Sequence, residues 1–440
     1  MQPDLAPVDV ERRYQATFVG LLVLAFALAV GWWLLADGDA AKQGASPAAV
    51  EATAIPGPTS FAEVETRPEP AAVALAGADD EIQLCGGHWV KAGPDGKPAE
   101  EALRAFTAKA YDEVSRGALS LMAASSSPRV QAAAHYYLAG QKRLEQEGRK
   151  AELDTHREAL ARMALVTDDA QVYAWAYQAC RTDVTAVPGT CMQINPAQWA
   201  RMDPDNAEPW LAVADEARRR RDDAALDDAM YHVAAAERHQ SGWVVVAAIV
   251  ADHAPQDERS IIGSEIAVGQ AIGTESHLAS WQGVFEYCGV KATADPNRRE
   301  TCERVAALLV ERSNTLVARS MGVGIGRRLG WSGERLNALA DQRDAESMAE
   351  RLRAGDPPQD DLMSCTAMRA HIERIRAVAE FGEIETLRRD VEASGQSVAT
   401  LAAQSRRLQE ADVRRFAAEE AASAASAPLP AASATAVAQR

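Results

Sequence analysis

The residues in this 440-residue chain best suited to a defined covalent chemistry are six cysteines: Cys85, Cys180, Cys191, Cys288, Cys302 and Cys365. An even number suits a disulfide framework in an oxidising compartment. Spacing favours two local bridges. Cys180 and Cys191 flank a turn containing Pro188 and Gly189, and Cys288 and Cys302 flank a polar loop containing Pro296. Each would staple two consecutive helices, and closing a loop of that size is worth about 3 kcal/mol in the chain-entropy model. Cys85 and Cys365 remain, and pairing them would clasp the first and last parts of the fold. Zinc is the competing chemistry. No C-x-x-C occurs, however, and no cysteine has a histidine at ligand spacing except the loose Cys85-Gly86-Gly87-His88.

Other reactive residue types are scattered. His232 and His239 are seven apart and could share a helix face, but two histidines alone make a poor metal site. Arg218 to Arg221 end an amphipathic helix, where cations meet the negative end of its dipole, with Asp222 and Asp223 adjacent. An acidic-peptide site is the sharper reading of that run. The stretch Met321 to Trp331 (MGVGIGRRLGW) invites a nucleotide-loop interpretation, but it follows a helix and lacks the G-x-G-x-x-G order. Gly322, Gly326 and Gly330 are four apart and would line one helix face as a groove for close packing. There is no H-E-x-x-H, no G-x-S-x-G and no phosphate loop. These observations name no catalytic residue, no metal ligand set and no cofactor, and the expectation is a non-enzymatic protein.

The elements that would position these residues are helical. Apolar residues make up 47%, charged residues 25% and aromatic residues only 5%. Alanine, the best helix former, is abundant. Helices are expected over 102–124, 128–145, 150–165 and 169–180. The stretch Trp243 to Ala251 (WVVVAAIVA) is expected to be a buried helix. No convincing pair of strands is found, so the fold class is all-α. Between Asp203 and Ala236 two short amphipathic helices meet at Asp222 and Asp223. One has Trp210, Val213, Ala214 and Ala217 on a face, the other Leu226, Ala229, Met230 and Val233. The D-P-x-N turn at Asp203 to Asn206, with Trp210, Val213 and Ala214, then Ala229, Val233 and Ala236, resembles the tetratricopeptide (TPR) repeat family. The family's tyrosine is replaced by Ala217, the turn needs about three extra residues, and the match covers under a tenth of the chain. The resemblance implies an αα-repeat domain with a peptide- or protein-binding surface.

The ends read differently. Ala16 to Ala36 is uncharged and apolar, long enough for a transmembrane helix, with Trp32 and Trp33 suited to the membrane interface. Arg12 and Arg13 precede it, and that asymmetry places residues 1–15 in the cytoplasm. A cleaved signal peptide is the rival, disfavoured by the length of the stretch and the lack of a clear A-x-A site. Residues 37–80 read as an Ala/Pro-rich tether, 81–416 as the helical-repeat domain and 417–440 as a disordered Ala/Ser/Pro tail. A net charge of −17 disfavours nucleic acid as a partner. The combined expectation is a single-pass bacterial inner-membrane protein with its bulk in the periplasm. It would act as an interaction scaffold or assembly factor for cell-envelope proteins. The alternatives are an enzyme whose site assembles only in three dimensions and a signal-relaying membrane partner.

Overall fold

The computed structural model describes residues 80–94, 96–144, 150–181, 189–274, 281–290, 294–354 and 364–426. All of them fall in one compact unit, Ala76–Arg440. The chain there is mostly helical, as its composition requires.

One element departs from the all-helical expectation. β1 (Glu81–Leu84) and β2 (His88–Lys91) form an antiparallel hairpin, with Ile82 opposite Val90 and Leu84 opposite His88. Its turn, Cys85–Gly87, places Gly86 at φ 79° and Gly87 at φ 75°. Residues with a side chain rarely adopt that region, so the Gly-Gly pair makes the reversal possible. Leu84 and Val90 are buried and Ile82 packs on the same core, which stabilises a ribbon too short to stand alone.

The helices follow in sequence: α1 (Glu100–Ala123), α2 (Pro128–Leu144), α3 (Lys150–Ala164), α4 (Ala170–Cys180), α5 (Pro196–Met202), α6 (Ala207–Arg220), α7 (Asp223–Ala235) and α8 (Val245–His253). Then come α9 (Ile261–Thr274), α10 (Gln282–Tyr287), α11 (Pro296–Glu311), α12 (Leu316–Leu329), α13 (Gly333–Ala354), α14 (Cys365–Phe381), α15 (Glu383–Ala393) and α16 (Val398–Ser426). Many begin at a side chain that satisfies their first amides. Asp169 caps α4, Asn195 α5, Asn206 α6, Asp222 α7, Asp295 α11, Thr315 α12 and Ser364 α14. Pro196 and Pro296 open α5 and α11, where their missing N–H is no loss. The valine run forms α8 as expected. Helix α16 continues to Ser426, past the boundary expected at 416.

These helices enclose two main cores. The first joins the hairpin, α1 to α5, α8, α9 and α14. The second joins α6, α7, α10, α11 and α12. A smaller cluster holds α13, α15 and α16 together. Packing is not confined to chain neighbours: α9 lies against α1, and α14 against α8 and α9. Within the α6–α7 hairpin the buried stripe is Ala207, Leu211, Ala214 and Ala217 against Leu226, Ala229, Met230 and Val233. The second face is the one read from the sequence. The first is rotated toward Leu211, leaving Trp210 and Val213 half-buried at its edge.

Two bridges hold pairs close in sequence, Cys180–Cys191 and Cys288–Cys302, with Cα atoms 5.4 and 5.7 Å apart. The third, Cys85–Cys365, spans 280 residues and ties the hairpin to the start of α14. The first two are the pairs that the spacing favours, and the third joins the two cysteines left over. Of the glycine stripe, Gly322 lets α12 approach α11, where an added Cβ would lie 2.8 Å from the Ala306 carbonyl oxygen. Gly326 accepts the Trp331 ring instead of a helix. Gly330 corrects the expected three-residue groove: it ends α12 at φ 86° as a left-handed cap and faces open space.

The expected localisation also needs correction. Among the described residues no helix is long and apolar enough to cross a membrane, against a single-pass inner-membrane protein. The long helices α1, α13 and α16 carry charged residues along their length, and the most apolar one, α8, has only nine residues. The stretch 16–36 with Arg12, Arg13, Trp32 and Trp33, the tether up to residue 79 and the tail beyond 426 lie outside the described residues.

Candidate functional site

A groove of about 580 Å³ lies between the hairpin, α1 and the turn that joins α8 to α9. Its floor is one face of α1: Phe106, Ala110, Val114, Gly117, Ala118 and Leu121 recur at helical spacing. A Cβ added at Gly117 would meet nothing within 4 Å, so the floor stays open there. The hairpin supplies one wall with His88 and Trp89, and His253, Pro255, Arg259 and Ser260 form the other.

The two walls are fastened to each other. The His88 Nε2–H donates to the Arg259 carbonyl at 2.8 Å, which fixes the tautomer because a carbonyl can only accept. The His88 ring also lies 4.9 Å from that of Phe106. Gly86 presses on the chain at Glu258, where an added Cβ would come within 2.2 Å of the carbonyl oxygen. Across the groove, the His253 Nδ1–H donates to the Ile249 carbonyl at 2.8 Å, leaving Nε2 as that ring's other polar atom.

The lips combine apolar surface with positive charge. Leu121 is 60% exposed and Trp89 is 37% exposed, large apolar side chains that the rest of the fold does not cover. Lys109 and Arg259 stand near them. Lys109 makes only a loose 3.9 Å pair with Glu113, both well exposed. Among the described residues nothing pairs with the Arg259 guanidinium. Two cations and one carboxylate around this groove contrast with a chain carrying 63 acidic and 46 basic residues.

Apart from His88, a loose partner of Cys85 by spacing, the residues singled out from sequence lie elsewhere. His232 and His239 do not share a face. His232 stacks on Trp210 with ring centroids 4.0 Å apart, while His239 lies beyond α7, buried, with Nε2 2.8 Å from Glu208 Oε2. The arginine run is turned onto its own helix and its neighbour. Arg181, Arg218 and Arg219 surround the buried Asp215 carboxylate, Arg220 pairs with Glu216, and Arg221 caps α6 in the left-handed region. An unanticipated pair is His135 on α2 and His156 on α3, with Nδ1 atoms 3.1 Å apart. Burial pushes the His135 imidazole below its ordinary range. Nothing in sequence marks that pair, since the residues are 21 apart on different helices. Among the described residues no group of three or more His, Cys, Asp or Glu is placed to hold a metal ion.

The groove itself left traces in the sequence. The face Phe106–Ala110–Val114–Leu121 has helical spacing, and Gly86-Gly87 sits between alternating apolar residues. What sequence could not supply is the α8–α9 turn, some 140 residues beyond α1. Comparison with protein-family models, with curated proteins and with solved structures finds no match to this chain.

Proposed function

We propose that this protein is an interaction scaffold that holds a segment of a partner polypeptide in the groove between the hairpin, α1 and the α8–α9 turn. The observation that carries the reading is the pairing of uncovered apolar lips, Trp89 and Leu121, with cations that the fold leaves available, Lys109 and Arg259. Apolar anchors in a pocket supply most binding energy at interfaces, and charge complementarity selects the partner and its register. The partner segment is therefore apolar and acidic: one or two large apolar side chains flanked by carboxylates. A groove open along one side suits a chain passing through more than an enclosed small molecule. The αα unit at 203–236 is read as TPR-like, in keeping with a scaffold.

The test is a peptide array probed with the purified protein, pairing apolar–acidic sequences with apolar–basic ones of equal hydropathy. The reading expects retention on the acidic set. It also expects loss of about tenfold or more in affinity for Leu121→Asp, which opposes both the apolar and the acidic part of the segment. Equal retention on both sets, or unchanged binding by Leu121→Asp, would contradict it.

A further inference from the structure

The three disulfides are not equivalent. Cys180, Cys191, Cys288 and Cys302 are all buried. Cys85 and Cys365 are both half-buried, so theirs is the bridge that a reductant in solution can reach. It is also the bridge nearest the groove. Cys85 begins the hairpin turn, three residues before His88 in the groove wall and next to Gly86, which presses on Glu258. Cys365 is the first residue of α14, a helix of 17 residues, with Ser364 as its cap. A thiolate there is stabilised by the helix N-terminus, which makes Cys365 the better leaving group.

We propose that Cys85–Cys365 is a redox latch on the groove, opened by a dithiol; this regulation rests on the groove being the binding site. A thiolate of the dithiol attacks Cys85 Sγ, the Cys85–Cys365 bond breaks and its electron pair leaves with Cys365. The dithiol's second sulfur then attacks the mixed disulfide. That releases Cys85 as a thiolate, which takes up a proton. The protein disulfide gains two electrons and the dithiol is oxidised to its own disulfide.

The consequence lies in what still holds the hairpin. Its two strands cannot stand alone. Without the bridge, the wall carrying His88 and Trp89 depends on Leu84, Val90 and Ile82 in the core, on the His88 bond to Arg259 and ring contact with Phe106, and on Gly86 against Glu258. Those contacts leave it docked but free to open, whereas the four buried cysteines keep the rest of the fold intact. Closed, the latch presents both walls of the groove; open, it presents one.

A graded titration of the full chain with dithiothreitol tests this, read by differential alkylation with mass spectrometry, amide exchange and far-ultraviolet circular dichroism. Cys85 and Cys365 are expected to become labelled at about tenfold less dithiol than the other four. Exchange across residues 81–91 should then rise about tenfold while the helical signal is kept. Three results would overturn the latch: a buried pair opening first, hairpin exchange unchanged once Cys85 and Cys365 are labelled, or collapse of the helical signal with that labelling. The exchange is measured without peptide. Absence of peptide binding by the oxidised protein would therefore count against the groove reading alone.

Discussion

The two main cores are built on opposite plans. In the second, α6 packs on α7 and α11 on α12, so helices adjacent in the chain do most of the work. The first gathers pieces from residues 82 to 212, 243 to 272 and 365 to 379, and seals them with a bridge across 280 residues. Local hairpins can be shaped to each other along a short stretch of chain. A core assembled from distant segments has seams, and the groove opens along one of them, where the α8–α9 turn meets α1 and the hairpin. The proposed site thus lies where distant segments of the chain meet, and the resemblance to a local repeat unit lies away from it.

The largest effect expected from this contrast is on the bridges. Removing Cys85–Cys365 with a double serine variant should cost about 5 kcal/mol and removing Cys288–Cys302 about 3 kcal/mol, because the loops closed are so different in length. Urea unfolding of both variants would check the order, and equal losses would remove the distinction between the two cores.

Next comes the junction between them. Asp215 on α6 is only 1% exposed and meets Arg181, at the end of α4, as well as Arg218 and Arg219. Asp215→Ala would leave three guanidinium groups facing one another and should destabilise by about 3 kcal/mol, the low end for a broken buried pair because the arginines reach solvent. A change under about 1 kcal/mol in thermal or urea unfolding would show that the Asp215 cluster is worth no more than a surface pair and does not hold the cores together.

Much of the second core was legible in advance and the reasons are local. Leu226, Ala229, Met230 and Val233 fall at helical spacing, and Asp222 caps the helix that carries them. Cys288 and Cys302 bracket one loop. The first core was legible only in pieces. The valine run gave α8, but its place against α1 depends on contacts more than 100 residues apart. The hairpin was missed because two four-residue strands carry little periodicity, although Gly86-Gly87 marked the turn. Gly330 was assigned to a packing face because regular spacing does not reveal which glycine ends the helix.

Glycine packing sharpens the same contrast on a smaller scale. A Cβ at Gly263 would lie 2.4 Å from the Ala110 carbonyl oxygen, backbone that cannot yield without moving α1. Gly263→Ala should therefore cost about 1–3 kcal/mol. At Gly326 the obstruction is the Trp331 ring, whose Nε1–H bond to Glu303 at 2.6 Å is given up if the ring turns aside, and the helix propensity of about 1 kcal/mol that alanine regains offsets that loss. Gly326→Ala should be close to neutral in thermal unfolding.

The smallest effect is one of pH. The hydrogen bond to Glu265 raises the His371 pKa, offset in part by burial and helped by the carboxylate's charge. Its folded value thus lies above the unfolded value of about 6.5. The pair's contribution is fully present below that unfolded value and is lost as pH rises through the folded one. The His371 side chain is nearly half exposed, so solvent screens the pair and the contribution is small. His371→Gln should lower stability at pH 5.5 more than at pH 8.5 (on either side of the ~6.5 reference); the opposite order would show that α9 and α14 are not joined by this pair.

The most direct test of the groove as the docking site compares the two regions at matched exposure. Leu121 in the groove is 60% exposed and Tyr231 on the second core is 56% exposed. A photo-crosslinking residue placed at each position, in separate variants, would be irradiated with the best apolar–acidic peptide from the array. The account predicts a crosslinked peptide at position 121 and none at 231. Equal capture at both positions, or capture at 231 alone, would contradict it.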